Sequence, residues 1–251
     1  MAKYTTFIHS TGMSPAMWDQ VPAEIVGETG VWKPTNLGYP PLPTLQRGQV
    51  VTAEDDAAHL LKNLPQDATS LRIYAHSYGG LVALKLLQKL PIPVEHLTLI
   101  EPVLFGALNH DLAQFPQAET EVNYFAQHPW FVHDEIRGGT AEWLEVFIDY
   151  WNRPGSWARM PAEMQAQQIL VGWKMYQEVR SCFLDPVPFD AWQLNVPLTL
   201  VVGERTTASA QAMVQGLAQV NPQARVLTVP GVGHMGVAMK PGVVWAAIAG
   251  K

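Results

Sequence analysis

Five short apolar runs rich in β-branched residues punctuate this 251-residue chain, at Tyr4–Ile8, Leu71–Tyr74, His96–Ile100, Pro197–Val202 and Arg225–Val229. Each is followed within two residues by Gly, Pro, His or an acid, which is the pattern of strands buried on both faces. Segments with helical spacing lie between them, at Val51–Asn63, Gly80–Leu90 and Ser209–Val220. Strand and helix therefore alternate, and that alternation predicts a doubly wound, mostly parallel α/β sheet. A weaker strand falls at Val31–Thr35, where Pro34 cannot donate to a ladder and so argues for a sheet edge or a strand end.

The alternation stops at Gly106 and resumes after Trp192. The stretch between reads as helices and loops carrying six tryptophans. It is too long for a connecting loop, and insertions of this size commonly form lids. The expectation is an α/β body from residues 1–105 and 193–251, with 106–192 as a helical cap. The alternative is a helical subdomain packed on the sheet edge, with its tryptophans as core. At 48% hydrophobic, the chain can bury one sizeable core.

The net charge of −6 comes without basic clusters, so nothing here would neutralise a phosphate backbone or an anionic bilayer. Neither nucleic acid nor a membrane is expected as a partner. Cys182 is the only cysteine, which excludes an internal disulfide and suits the cytoplasm. The first residues lack an apolar run with a cleavage site, and no segment reaches the ~20 apolar residues that span a bilayer, so a soluble, unprocessed protein is expected.

The chemistry is concentrated at Ala75-His76-Ser77-Tyr78-Gly79-Gly80, between the strand Leu71–Tyr74 and the helix-patterned Gly80–Leu90. A strand-to-helix turn this sharp forces its central residue into strained geometry. Large side chains two residues either side would collide with neighbouring elements, and Ala75 and Gly79 are small. The turn lifts the Ser77 hydroxyl above the C-terminal edge of the sheet, where open α/β sheets bind ligands, and puts the Tyr78 amide at a helix N-terminus. Glycine-rich turns of this kind also occur where only close packing is needed. What separates the two is order along the chain: here a histidine loop follows the first strand and another histidine follows the last.

With His9-Ser10-Thr11-Gly12 and Trp18 after the first strand, the turn at Ser77, and Val229-Pro230-Gly231-Val232-Gly233-His234-Met235-Gly236 after the last strand, the sequence resembles the α/β-hydrolase superfamily over nearly its whole length. The resemblance implies Ser77 as nucleophile, His234 as general base, and the amides of Thr11 and Tyr78 as oxyanion donors. Ser10 stands where the family usually has Gly, and Ala75 replaces the first Gly of the turn. With no room before Tyr4 for the family's first two strands, a trimmed sheet of about six strands is expected.

A serine hydroxyl needs a base, and imidazole titrates near neutral pH. His76 is expected to point away from Ser77, and His9 to organise its own loop. The third member is harder to place. The family commonly has an Asp three residues after a Gly following the penultimate strand, but here Gly203-Glu204-Arg205-Thr206 ends on Thr206. A hydroxyl cannot supply the charge that steadies an imidazolium. Glu101 ends the strand His96–Ile100, where haloalkane dehalogenases are known to carry a glutamate acid, and the resemblance implies Glu101; Glu204 is the competitor.

A serine rather than an aspartate nucleophile disfavours halide displacement and epoxide opening. The expected reaction is hydrolysis of a small-to-medium hydrophobic ester through an acyl-enzyme, with thioesters, lactones or vinylogous C–C substrates open to the same machinery. The aromatic residues Trp130, Phe131, Trp143, Phe147, Tyr150, Trp151 and Trp157 predict an apolar pocket for an acyl substrate. Trp143, Phe147, Tyr150 and Trp151 share one helix face, which either packs on the body or lines the pocket. No metal or organic cofactor is expected. A ligand-binding protein on a hydrolase scaffold and an acyltransferase remain as alternatives.

Overall fold

A computed structural model describes residues 1–251. Six strands, β1 (Ala2–Ile8), β2 (Gly30–Trp32), β3 (Ala68–His76), β4 (Val94–Ile100), β5 (Leu198–Gly203) and β6 (Arg225–Val229), form one sheet in the order β2-β1-β3-β4-β5-β6. Every pairing is parallel. Six apolar runs thus become six strands, and β3 runs further in both directions than Leu71–Tyr74 because its ends pair with β1 and β4. β2 is an edge strand and stops at Trp32, before Pro34.

The helices in chain order are α1 (Ala23–Val26), α2 (Ala53–Lys62), α3 (Tyr78–Leu87), α4 (Phe105–His110), α5 (Glu119–Gln127), α6 (Ala141–Trp151), α7 (Ser156–Arg159), α8 (Ala162–Leu170), α9 (Gly172–Leu184), α10 (Ala208–Val220), α11 (Gly236–Met239) and α12 (Pro241–Ala249). Local chemistry sets several of their starts. Thr52 closes a capping box on α2, its hydroxyl accepting from the Asp55 amide while the Asp55 carboxylate accepts from the Thr52 amide. Thr207 caps α10 through the Ala210 amide. No helix is long and apolar enough to cross a membrane.

The pleat sends alternate residues of each central strand into different cores. Ile8, Ile73 and Ala75 join the larger apolar cluster, shared with α3, α9, α10 and the helices between β4 and β5. Phe7, Tyr74, Val201 and Val229 join a smaller one on the opposite face with Trp18 and Trp245. Strands buried on both faces explain why the sequence shows continuous apolar runs rather than alternation.

Between β4 and β5 there are only helices and short turns, α4 to α9. Their tryptophans are largely core: Trp143 is stacked between Phe131 and Phe147, at ring separations of 5.3 Å on each side, and Trp157, Trp173 and Trp192 are buried. The helix α6 divides its aromatic face, with Trp143 in packing and Phe147, Tyr150 and Trp151 on a cavity.

Two residues flanking the central crossover set how closely α3 approaches the sheet. A Cβ on Gly79 would lie 2.6 Å from the carbonyl oxygens of both Ile8 and His9, and one on Gly80 would lie 2.6 Å from the Pro102 Cβ. Backbone cannot yield as a flexible side chain can. Gly79→Ala is therefore expected to destabilise the protein by about 1–3 kcal/mol, as overpacking generally does, read as a lower urea midpoint at unchanged m-value.

Candidate active site

Ser77 sits between β3 and α3 with φ of +56° and ψ of −124°, a conformation that L-residues adopt at a cost of about 1–3 kcal/mol. Neighbours over-determine it. The Ser77 amide donates to the Ile100 carbonyl, and its own carbonyl accepts from both Gly80 and Val103 amides. The exit of β4 thereby holds the turn. The Tyr78 amide is the first of α3 and has no intrahelical acceptor.

Ser77 Oγ lies 3.0 Å from His234 Nε2, and His234 Nδ1 lies 2.7 Å from Glu101 Oε2. The carboxylate can only accept, so Nδ1 carries the proton and Nε2 accepts from the serine hydroxyl. All three residues are buried, Glu101 at 2% exposure. Glu101 has φ of +45°, the only non-glycine residue besides Ser77 with positive φ. Its Oε1 accepts from the Gly203 amide at 2.7 Å, and its Oε2 also accepts from Thr206 Oγ1 at 2.7 Å. Glu204 is elsewhere: its carboxylate is exposed and accepts from the Gly231 amide.

Thr11 and Gly12 form the turn closed by the Met13 amide on the Ser10 carbonyl, and Thr11 borders the same cavity space as Ser77. The Thr11 amide makes no hydrogen bond within the chain. His9 organises this loop. The Asn36 amide donates to His9 Nε2 at 3.1 Å, so Nδ1 carries the proton and donates to the Ser10 carbonyl at 3.0 Å.

Two contacts of His234 have no signature in the sequence. His76 points away from the serine but onto the His234 loop, donating from Nε2 to the His234 carbonyl at 2.9 Å with ring centroids 4.9 Å apart. Burial and the neighbouring His234 hold the His76 pKa well below the usual histidine range, so this donor stays neutral. Trp151 stacks on the His234 ring, with centroids 3.8 Å apart and planes inclined by 28°. Both contacts join residues distant in sequence, so no local pattern announces them.

Two cavities meet at Ser77, Thr11, Phe147 and Trp151. One is a narrow aromatic slot walled by Tyr78, Phe105, Phe125, Phe131 and Phe183. The other is roomier and includes His234 and six methionines: Met13, Met160, Met164, Met175, Met235 and Met239. No group of three or more His, Cys, Asp or Glu side chains is placed to hold a metal ion.

A buried imidazole bonded to a serine hydroxyl on one side and a carboxylate on the other can take the hydroxyl proton and share the resulting charge with the carboxylate. On a parallel sheet of this order, such an arrangement defines the hydrolase class of α/β protein. The chain belongs to the alpha/beta hydrolase family, whose profile matches residues 7–247. Among solved structures it is similar to a hydrolase from Pseudomonas aeruginosa (16% identity, 99% of this chain and 89% of that one, TM-score 0.68). It is also similar to a thermophilic esterase from Thermogutta terrifontis (18% identity, 100% and 89%, TM-score 0.65) and to an enol-lactonase from Burkholderia xenovorans (14% identity, 100% and 91%, TM-score 0.66). At these identities the likeness is one of fold. No curated protein sequence matches the chain.

The buried histidine of the loop gives a pH prediction. Burial lowers the His9 pKa from 6.5 to about 4, so its neutral form stabilises the fold fully above pH 6.5, and that contribution is lost as pH falls towards 4. The loss is on the order of 3 kcal/mol. Glu178 on α9, which burial pushes up to about 7, works in the opposite sense over part of this window, so wild type alone is a poor readout. The comparison with His9→Asn isolates the term: urea unfolding free energy is expected to fall more steeply between pH 6.5 and 4 in wild type than in the variant.

Proposed function

We propose that this protein is a serine hydrolase that cleaves a small-to-medium hydrophobic carboxylic ester through an acyl-enzyme, with Ser77 as nucleophile, His234 as general base and Glu101 as the acid. The observation that carries this reading is the unbroken hydrogen-bonded chain from Ser77 Oγ through His234 to Glu101, all of it buried. His234 takes the Ser77 proton as the hydroxyl adds to the ester carbonyl. The amides of Tyr78 and Thr11 receive the oxyanion. His234 then returns the proton to the departing alcohol, and a water activated by the same imidazole releases the acid. The Trp151 face over the ring favours the imidazolium formed in each half-reaction, as an aromatic face favours any nearby cation.

The two cavities have separate tasks in this reading. The leaving oxygen must come within reach of His234 Nε2, and His234 borders the methionine-lined cavity but not the aromatic slot. The alcohol therefore leaves through the methionine side and the acyl group occupies the slot, against Tyr78 and its amide. The stretch from α4 to α9, which supplies most of the slot's wall and about half of the methionine cavity's, acts as the cap of the site. A narrow aromatic slot discriminates acyl groups by shape, while flexible methionine side chains accept varied alcohols. A lactone, the substrate type in the name of the Burkholderia enol-lactonase, is an internal ester and meets the same groups.

Steady-state hydrolysis of p-nitrophenyl butyrate tests the assignment. Ser77→Ala is expected to abolish turnover, Glu101→Gln to lower kcat by roughly 10²–10⁴-fold, and Glu204→Gln to behave as wild type. Wild-type rates in Glu101→Gln, or a loss in Glu204→Gln instead, would remove Glu101 from the triad. The cavity assignment predicts that kcat/KM changes by about 10²-fold when the acyl chain is varied against one alcohol. Varying alcohols of equal acidity against one acyl group should change it far less; the reverse ranking would exchange the two cavities.

A further inference from the structure

Under the loop that carries Thr11 lies a cluster of buried charge that the proposed reaction does not use. Lys174 and Glu178, one turn apart on α9, and Asp56 on α2 are all fully buried. Lys174 Nζ lies 2.5 Å from Asp56 Oδ2 and 3.3 Å from Glu178 Oε1. Two phenols complete the cluster, and each leads to the site. The Tyr39 hydroxyl donates to Glu178 Oε2 at 2.8 Å and accepts from the Gly12 amide at 2.8 Å. The Tyr78 hydroxyl donates to Asp56 Oδ2 at 2.6 Å. One connected network thus grips the residue after Thr11 at one end and Tyr78 at the other.

These are the two places from which the oxyanion amides project. Neither amide is held there by its own backbone pairing, since Tyr78 begins a helix and Thr11 sits in a turn. Burying three ionisable side chains brings a desolvation penalty that their mutual attraction only partly offsets, so such a cluster is a poor device for stability and a good one for fixing a geometry. The loop end is gripped from other sides too. Gln168 donates to the Gly12 carbonyl at 3.0 Å, and the His9 ring packs edge-on against Tyr39 with centroids 5.1 Å apart.

We propose that Tyr39, Glu178, Lys174 and Asp56 form a brace that sets the separation of the Thr11 and Tyr78 amides, with Tyr39 as the positioning residue on the loop side. This rests on the serine hydrolase reading above. On this account α9 belongs to the oxyanion site as much as to the cap. Tyr39 acts on the transition state alone, because the amides are aimed where the oxyanion forms and not at the planar ester.

The test compares wild type, Tyr39→Phe, Glu178→Gln and Ser77→Ala with p-nitrophenyl butyrate, and with a trifluoromethyl ketone carrying the same acyl chain. The ketone adds the serine and places an oxyanion between the two amides. Tyr39→Phe removes the acceptor of the Gly12 amide and is expected to lower kcat by about 10- to 100-fold. KM should stay within about threefold of wild type, and ketone affinity should fall by the same factor as kcat. Glu178→Gln keeps an oxygen for the Tyr39 hydroxyl and should lose less than Tyr39→Phe. Thermal midpoints separate this from a folding defect, which would not make ketone affinity track kcat. Wild-type kcat in Tyr39→Phe, or a loss confined to KM with the ketone bound as tightly as before, overturns the brace while leaving the triad standing. Equal hydrolysis by Ser77→Ala and wild type overturns the serine reading, and the brace as an oxyanion device falls with it.

Discussion

The Glu101 carboxylate occupies a place where an ion survives only if hydrogen-bond donors surround it. It is buried, and it receives the Gly203 amide, the Thr206 hydroxyl and His234 Nδ1 at 2.7 Å each. An unpaired charge there would cost several kcal/mol. The neighbouring strands are therefore part of the site. β5 ends at Gly203, whose missing side chain matters: a Cβ there would stand 3.0 Å from Glu101 Oε1 and 2.5 Å from the Val232 carbonyl. The positive φ at Glu101 swings the carboxylate across the sheet edge towards the His234 loop, just as the positive φ at Ser77 lifts the hydroxyl. Adjacent ends of β3 and β4 carry both strained residues, and the Ser77 and Val103 amides stitch them together.

Thr206 shows how the sequence pattern and the geometry fit together. It stands where the family commonly has its aspartate, and its hydroxyl donates to the carboxylate that arrives from β4 instead. A residue unable to provide charge at that position can still orient a neighbour that does. The proposed acid has thus moved one strand without moving far in space, since β4 and β5 are hydrogen-bonded neighbours in register from Leu97 with Leu198 to Ile100 with Val201.

What was legible in the sequence is what local chemistry writes: six strands from apolar runs, the turn at Ser77 from its small flanking residues, and the His234 loop from its glycines. Glu101 and Glu204 could not be separated by spacing, because the choice depends on a backbone φ that swings one carboxylate inward and on a Gly231 amide that engages the other. The tryptophans between β4 and β5 announced apolar surface but not its use. Trp143 packs and Trp151 covers an imidazole, although they lie on one helix. The pairing of Tyr39 with Glu178, 139 residues apart, and of Asp56 with Lys174, 118 residues apart, left no periodic trace. In α9 the charged residues Lys174 and Glu178 lie among the nine buried ones of thirteen, so charge there does not mark a solvent face.

That burial divides the helices between β4 and β5 into parts of unequal freedom. Moving α9 would separate Lys174 from Asp56 in an apolar interior and expose most of the helix, so α9 is bound to the body as firmly as a core helix. α6 is held by the burial of Trp143, Leu144 and Ile148, by the stacking of Trp151 on His234 and by the bonds of Tyr150 with Glu121 and Ser209. α8 has no buried residue, leaves Met164, Ile169 and Leu170 largely exposed, and reaches the body through the Gln168 bond to Gly12. Local opening costs least where least apolar surface and fewest buried bonds are lost. The methionine-lined cavity, walled by Met160, Met164 and Gln168 at this end of the insertion, can therefore widen at α8, at the loss of the Gln168 bond to Gly12, while the aromatic slot and the Tyr39 bond to the Gly12 amide stay in place. In the proposed reaction, tolerance for the alcohol and strictness towards the acyl group then follow from the same difference in burial between α8 and α9.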